Sequence, residues 1–294
     1  MNFLKVTTKV ESLRSRDGLQ RMRKTTLLAA TALLGSPGLT LAQNTPDENS
    51  PNVDAPFVRN LRADRPGQTV TAQVLRPGRI QLETGFQRQF GGPGNAQSLS
   101  AATLRIGFFN SMELRVSQPY FHNGPARMTE AGRGDSSGWA PVVVGAKFMI
   151  SPNYDTRTQV AILVESAVPG TGSAGQRGTT WGPGGRLLVS EQLGKRFGLE
   201  ANFGFSQRGL TTKDIEKSRF LGTLALNGPL SEKAGFFVEV YGYGRQALTT
   251  GTTTGVYFRP IPAVRLDITA GQVVSGLAAG TSTIGAGLTF KVGK

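Results

Sequence analysis

The 294-residue chain contains no cysteine and a single histidine. The first absence removes disulfide frameworks and thiolate metal sites. The second leaves one imidazole and scattered carboxylates, which do not compose a zinc ligand set, and no cofactor is expected. Past the N-terminal region there is no run of about eighteen apolar residues, so the mature chain has no transmembrane helix. If such a chain crosses a membrane it must do so as a closed barrel, because an open sheet edge leaves unpaired backbone groups in hydrocarbon. Charged residues are sparse as well, at 18%.

What the chain has is glycine (39 residues), phenylalanine (16 residues) and a period of two. Twelve short stretches alternate apolar with polar side chains, and the polar partner is often a full charge. In residues 111–118, Met112, Leu114 and Val116 share one face while Glu113, Arg115 and Ser117 share the other. Successive side chains of a β-strand point to opposite faces, so this is a ribbon with one apolar and one ionic side. The expected strands are 79–90, 99–108, 112–121, 140–150, 156–168, 185–191, 196–207, 219–227, 233–245, 250–259, 263–275 and 281–292. Connections alternate in length: 110–111 and 151–155 are short, 123–139 and 169–184 long. An all-β, antiparallel transmembrane barrel of outer-membrane type, with about 12 strands and short periplasmic turns, has this pattern. Aromatic residues near the strand ends, among them Phe90, Trp139, Trp181 and Phe197, fit its two girdles.

The outward row includes Ile80, Leu82 and Phe86, Val144 and Phe148, Ile162 and Val164, Val238 and Val240, and Leu288 and Phe290. The opposite row carries Glu83, Arg105, Glu113, Arg115, Lys147, Glu165, Glu200, Glu239, Arg245, Arg259, Arg265 and Asp267. A Lys or Arg facing lipid at the midplane costs about 2–4 kcal/mol, so these residues are expected to line a polar or wet lumen. Acids and bases are balanced there, which fits both a structural ion-pair lining and a solute path.

The formal charge of +14 does not indicate nucleic acid. Residues 1–42 hold seven of the 33 basic residues and two of the 19 acids, so the remainder carries +9. Those cations are scattered and form no stripe with interleaved aromatics. Anionic lipopolysaccharide or an anionic solute suits loop arginines better. Met22-Arg23-Lys24, the apolar stretch 27–34 and the small residues before Gln43 have the regions of a signal peptide over 1–42, with Met22 as an alternative start. Residues 43–77, rich in Pro, Asn, Asp and Arg, read as an irregular periplasmic segment or partial plug, and 78–294 as the barrel. In the plug reading Asp64, Arg65 and Gln68 contact wall charges.

No enzyme is expected. His122 stands at the start of a long loop with no serine in a nucleophile-elbow pattern, and the carboxylates are explained more simply by pairing with arginine. The glycines of 170–178 and 182–185 precede no helix and so do not cradle phosphate.

Several fragments carry a family resemblance. Ala63-Asp64-Arg65-Pro66-Gly67-Gln68-Thr69, the run 76–86, Leu104-Arg105-Ile106-Gly107, Met112-Glu113-Leu114-Arg115, Val144-Gly145-Ala146-Lys147-Phe148 and the run 234–242 are similar, in order and spacing, to outer-membrane transporters of the MetA-pathway of phenol degradation family. The resemblance implies a barrel in the cell outer membrane that passes small solutes, hydrophobic or aromatic ones among them. Its expected partners are membrane lipid, lipopolysaccharide, the outer-membrane insertion machinery and a small-molecule solute, with no nucleic acid. The alternative is a structural or surface-binding barrel whose lumen is blocked.

Overall fold

The computed structural model describes residues 61, 63–65, 67–91, 97–122, 128–129, 132–133, 137–151, 157–173, 176–194, 196–207, 218–244, 248–276 and 278–293. The expected signal segment and the first part of segment 43–77 lie outside them.

The alternating stretches form twelve long strands: β1 (Ile80–Phe90), β2 (Gln97–Phe109), β3 (Met112–His122), β4 (Val143–Met149), β5 (Thr158–Ala167), β6 (Gly182–Leu193), β7 (Phe197–Gln207), β8 (Ser218–Pro229), β9 (Ala234–Gly244), β10 (Thr249–Ile261), β11 (Val264–Ser275) and β12 (Ser282–Val292). Each pairs antiparallel with its chain neighbours, and β1 pairs with β12 from Ile80↔Val292 to Phe90↔Ser282, so the sheet closes on itself. Closure leaves no open edge, the condition for a sheet in lipid. The short pair Gly138–Trp139 extends the sheet beside β3, and Met128–Thr129 pairs with Gly132–Arg133.

Strand boundaries differ from the sequence expectation by at most three residues, the largest shifts being the later start of β4 and the earlier start of β6. The run Gly182-Pro183-Gly184-Gly185 belongs to β6 and pairs with Ala167, Ser166, Glu165 and Val164 of β5. The ladder of β5 extends that far, and Pro183 near the first residue of a strand is a position the sheet tolerates.

Parity is strict. In β9, Val238 and Val240 are 47% and 50% exposed while Glu239 between them is 0% exposed. Every strand contributes exposed large apolar residues to the outer surface, such as Phe203, Leu224, Val256 and Ile268. A continuous apolar band of that extent belongs in hydrocarbon, and with closed strands it makes the protein an outer-membrane β-barrel. Turns 110–111 and 262–263 lie at one end, together with the start of β1 and the end of β12, and the connections 123–142 and 168–181 lie at the other. With the short side periplasmic, a Thr179→Cys variant should react with a membrane-impermeant maleimide on intact cells and Ser231→Cys should not. The native chain contributes no background thiol. The opposite labelling would invert the topology.

Candidate functional site

The described residues from 61 to 79 form no strand, yet Leu61, Ala72, Val74 and Leu75 are at most 1% exposed. A buried backbone outside a sheet must find partners for its N–H groups, and here side chains of the strands supply them. Glu83 of β1 accepts the N–H of Asp64 and of Arg65 at 3.1 and 3.0 Å. Glu239 of β9 accepts the N–H of Gln68 and of Thr69 at 3.0 and 2.6 Å, and the Thr69 hydroxyl at 2.6 Å. Asn202 of β7 imitates a strand, accepting from the Val70 N–H at 2.7 Å and donating to its carbonyl at 2.8 Å. Ser190 of β6 accepts the Ala72 N–H at 2.9 Å, and Glu113 of β3 accepts the Leu75 N–H at 2.9 Å. Val70 and Ala72 pack on Ala161, Leu163 and Leu188, an apolar patch on the inner face of β5 and β6.

At one end of this segment three cations meet three carboxylates. Arg105 donates to Glu83 at 2.7 Å and holds Glu113 by two nitrogens at 2.8 and 2.9 Å. Lys147 reaches both oxygens of Asp64 at 3.1 Å, and Arg115 donates to Asp64 as well. Register brings the group together: Arg105 faces Arg115 across β2 and β3, and Glu113 faces Lys147 across β3 and β4. Two directly opposed arginines repel, and Asp64, which comes from the segment rather than from the wall, lies within 3.4 Å of Arg105 while bonding Arg115. Lys147 also donates to the carbonyls of Thr71 and Gln73 at 3.0 and 3.1 Å, tying the charge cluster to the chain that follows Asp64.

Glycines shape the wall to fit the segment. Gly85 and Gly287 are cross-strand partners, and a Cβ on either would come within 2.2 and 2.5 Å of the Arg65 guanidinium. The Arg65 side chain lies in that notch and reaches Asp267 at 3.3 Å, while Arg265 donates to the Arg65 carbonyl. A Cβ on Gly107 would sit 1.9 Å from the Arg76 carbonyl oxygen. Gly107→Val should therefore displace residues 75–76 while leaving the outer face untouched. The expected outcome is normal barrel assembly with at least tenfold faster proteolysis of the segment, roughly the effect of 1.4 kcal/mol or more. Wild-type protection in that variant would mean the approach at Gly107 does not matter to docking.

Of the other charged positions, Glu165 pairs with Arg186 at 3.4 Å, Glu200 is half-buried on β7, and Arg259 donates to the carbonyl of Pro262 at 2.9 Å beside a turn. Arg245 lies outside the described residues. Gln68 engages Glu239 through its backbone and its side chain is exposed. His122 is exposed at the end of β3, and among the described residues no three His, Asp or Glu side chains are grouped as metal ligands. Sequence reasoning did not single out Asn202, Ser190, Leu163, the notch glycines or Thr223, whose hydroxyl lies 2.8 Å from that of Thr69. Inward parity was their only signal.

A family model described as Putative MetA-pathway of phenol degradation matches residues 63–294. No curated protein matches the chain. Among solved structures, an outer membrane channel from Pseudomonas putida F1 superposes with a TM-score of 0.59 at 11% identity, over 78% of this chain and 99% of that one. The NanC porin gives 0.53 at 10% identity, over 72% and 100%. The KdgM porin, solved in complex with disordered oligogalacturonate, gives 0.50 at 8% identity, over 71% and 98%. At such identities the likeness is one of fold.

Proposed function

The chain belongs to the MetA-pathway of phenol degradation family, and from that premise we propose that it is an outer-membrane channel for passive uptake of small solutes, with residues 61–79 acting as a partial plug that sets what passes. The observation that carries the reading is the way the segment is held. Its backbone is bonded by Glu83, Glu113, Asn202 and Glu239, side chains of four different strands, instead of lying free at the barrel mouth. In this reading the inward polar side chains line the path a solute takes past the segment, and the mixed charges of the wall narrow that path electrostatically. Nothing in this function requires a catalytic group; the protein would act by conduction alone. Small apolar or aromatic solutes are the class the family name suggests. Lipopolysaccharide would meet the outer rim, where Arg88 is exposed on the lipid side near Phe90, and the outer-membrane insertion machinery would assemble the strands.

The density of ion pairs around Asp64 favours a second reading, a structural barrel whose lumen stays closed. One experiment separates them. Deleting residues 44–70 should leave a folded barrel whose single-channel conductance in planar bilayers is several-fold above that of the full chain, with weaker solute selectivity. Equal conductance in a correctly assembled deletion variant would reject the plug, and no measurable current from either protein would favour the closed barrel.

A further inference from the structure

On the extracellular side of Glu239, the inner wall carries an aromatic and cationic stack that the segment contacts described above do not use. Parity points Arg219 and Leu221 of β8 and Tyr241 and Tyr243 of β9 into the lumen, whereas Phe220 between the first two is 61% exposed on the lipid side. The Tyr241 and Tyr243 rings are parallel within 5° with centroids 6.1 Å apart, an offset-stacked pair. The Arg219 guanidinium carbon lies 4.7 Å from the Tyr243 ring centroid, within the range of a cation–π contact. Tyr241 faces Gly251 across β9 and β10, and a Cβ there would come within 2.4 Å of the tyrosine oxygen. That ring therefore lies across the glycine, along the wall, instead of projecting into the lumen centre. Arg219 and Tyr243 are only half-buried.

We propose that Arg219, Tyr243 and Tyr241 form a solute subsite for a monoaromatic carboxylate, in the outer half of the lumen. The inference rests on the channel reading and names its solute class. A planar ring set against the lumen-facing edges of Tyr241 and Tyr243 gains edge contacts with both, and a carboxylate on that ring meets a planar guanidinium whose donors match it in pairs. The stack lies two and four residues beyond Glu239, which binds Gln68 and Thr69, so a solute entering from outside reaches it before the segment. A cation already resting on an aromatic face has a fixed plane, which lowers the ordering cost of binding. A neutral aromatic would gain the ring contacts alone. A sugar acid would gain the charge contact and a weaker CH contact with the rings.

The test uses the full chain folded in detergent micelles, with ligand-observed saturation-transfer NMR for binding and proteoliposome uptake for flux. The probes are benzoate, benzyl alcohol and galacturonate. Wild-type protein should bind benzoate about tenfold more tightly than either other probe. Arg219→Gln should weaken benzoate about tenfold and leave benzyl alcohol unchanged, with partial recovery in Arg219→Lys. Tyr243→Leu should weaken benzoate and benzyl alcohol alike, by about fivefold. Benzoate affinity unchanged in both Arg219→Gln and Tyr243→Leu would overturn the subsite, and galacturonate bound as tightly as benzoate would overturn the aromatic class. Binding with these mutational effects but no uptake would sink the channel reading and leave the subsite standing. Uptake of benzoate that neither variant slows would do the reverse.

Discussion

Asp64→Ala should release the inner segment from an intact barrel. The substitution leaves Arg105, Arg115 and Lys147 facing Glu83 and Glu113, three cations against two anions, in a cluster where Arg105, Glu113 and Lys147 have no exposed side-chain surface. Removing one partner of a buried ion pair costs about 3–5 kcal/mol, because the remaining charge is neither hydrated nor compensated. The wall strands cannot relax, since they are fixed by the ladder, but the segment can leave and let water in. A bias of about 3 kcal/mol shifts the docked-to-undocked ratio roughly 100-fold. The measurement is limited proteolysis of the folded barrel with thermolysin, cleaving before Val70 or Val74, with single-channel conductance as a second readout. Asp64→Ala/Lys147→Met restores two cations against two anions and should recover part of the protection, a coupling that a double-mutant cycle with Lys147→Met alone resolves. If Asp64→Ala is cleaved no faster than wild type, the charge cluster is not what holds the segment.

Replacing outward residues with arginine should impair insertion, whereas an inward arginine should be tolerated. Val238→Arg and Ile162→Arg each place a cation on the lipid face near the middle of a strand, at about 2–4 kcal/mol each, and together they should prevent barrel formation in membranes. Thr253→Arg points inward from β10 and should insert normally. Heat-modifiable migration on gels and protection in outer-membrane fractions read the outcome. Failure of Thr253→Arg with normal insertion of the two outward variants would mean the register is off by one residue, which inverts every face assignment.

The faces of the strands were legible because lipid punishes error. Val238, Glu239 and Val240 admit one orientation only, and the same holds for Leu104, Arg105 and Ile106. The strand β6 was less so: its first residues are Gly182 to Gly185, which have no side-chain pattern, and only the lengths of β5 and β7 on either side determine that they pair. The inner contacts were legible in part. A charged segment ahead of a charged wall suggests that Asp64 and Arg65 find partners there. Asn202 and Ser190 are different, because they bond backbone groups of Val70 and Ala72, and a backbone group leaves no trace in the sequence. Gly85, Gly107 and Gly287 look like any of the other glycines. Their meaning lies in what approaches them, a relation across the fold rather than along the chain.

The notch under Arg65 sits on the junction where the first strand meets the last. Only the pairing of Gly85 with Gly287 puts two glycines side by side beneath the guanidinium. A slip of two residues would set Gln87 or Glu83 opposite Gly287 and fill the space the side chain needs. Docking of the segment and the closing register of the barrel are therefore thermodynamically linked. Whatever free energy the docked arginine gives to the correct seam, the correct seam returns to the docked arginine.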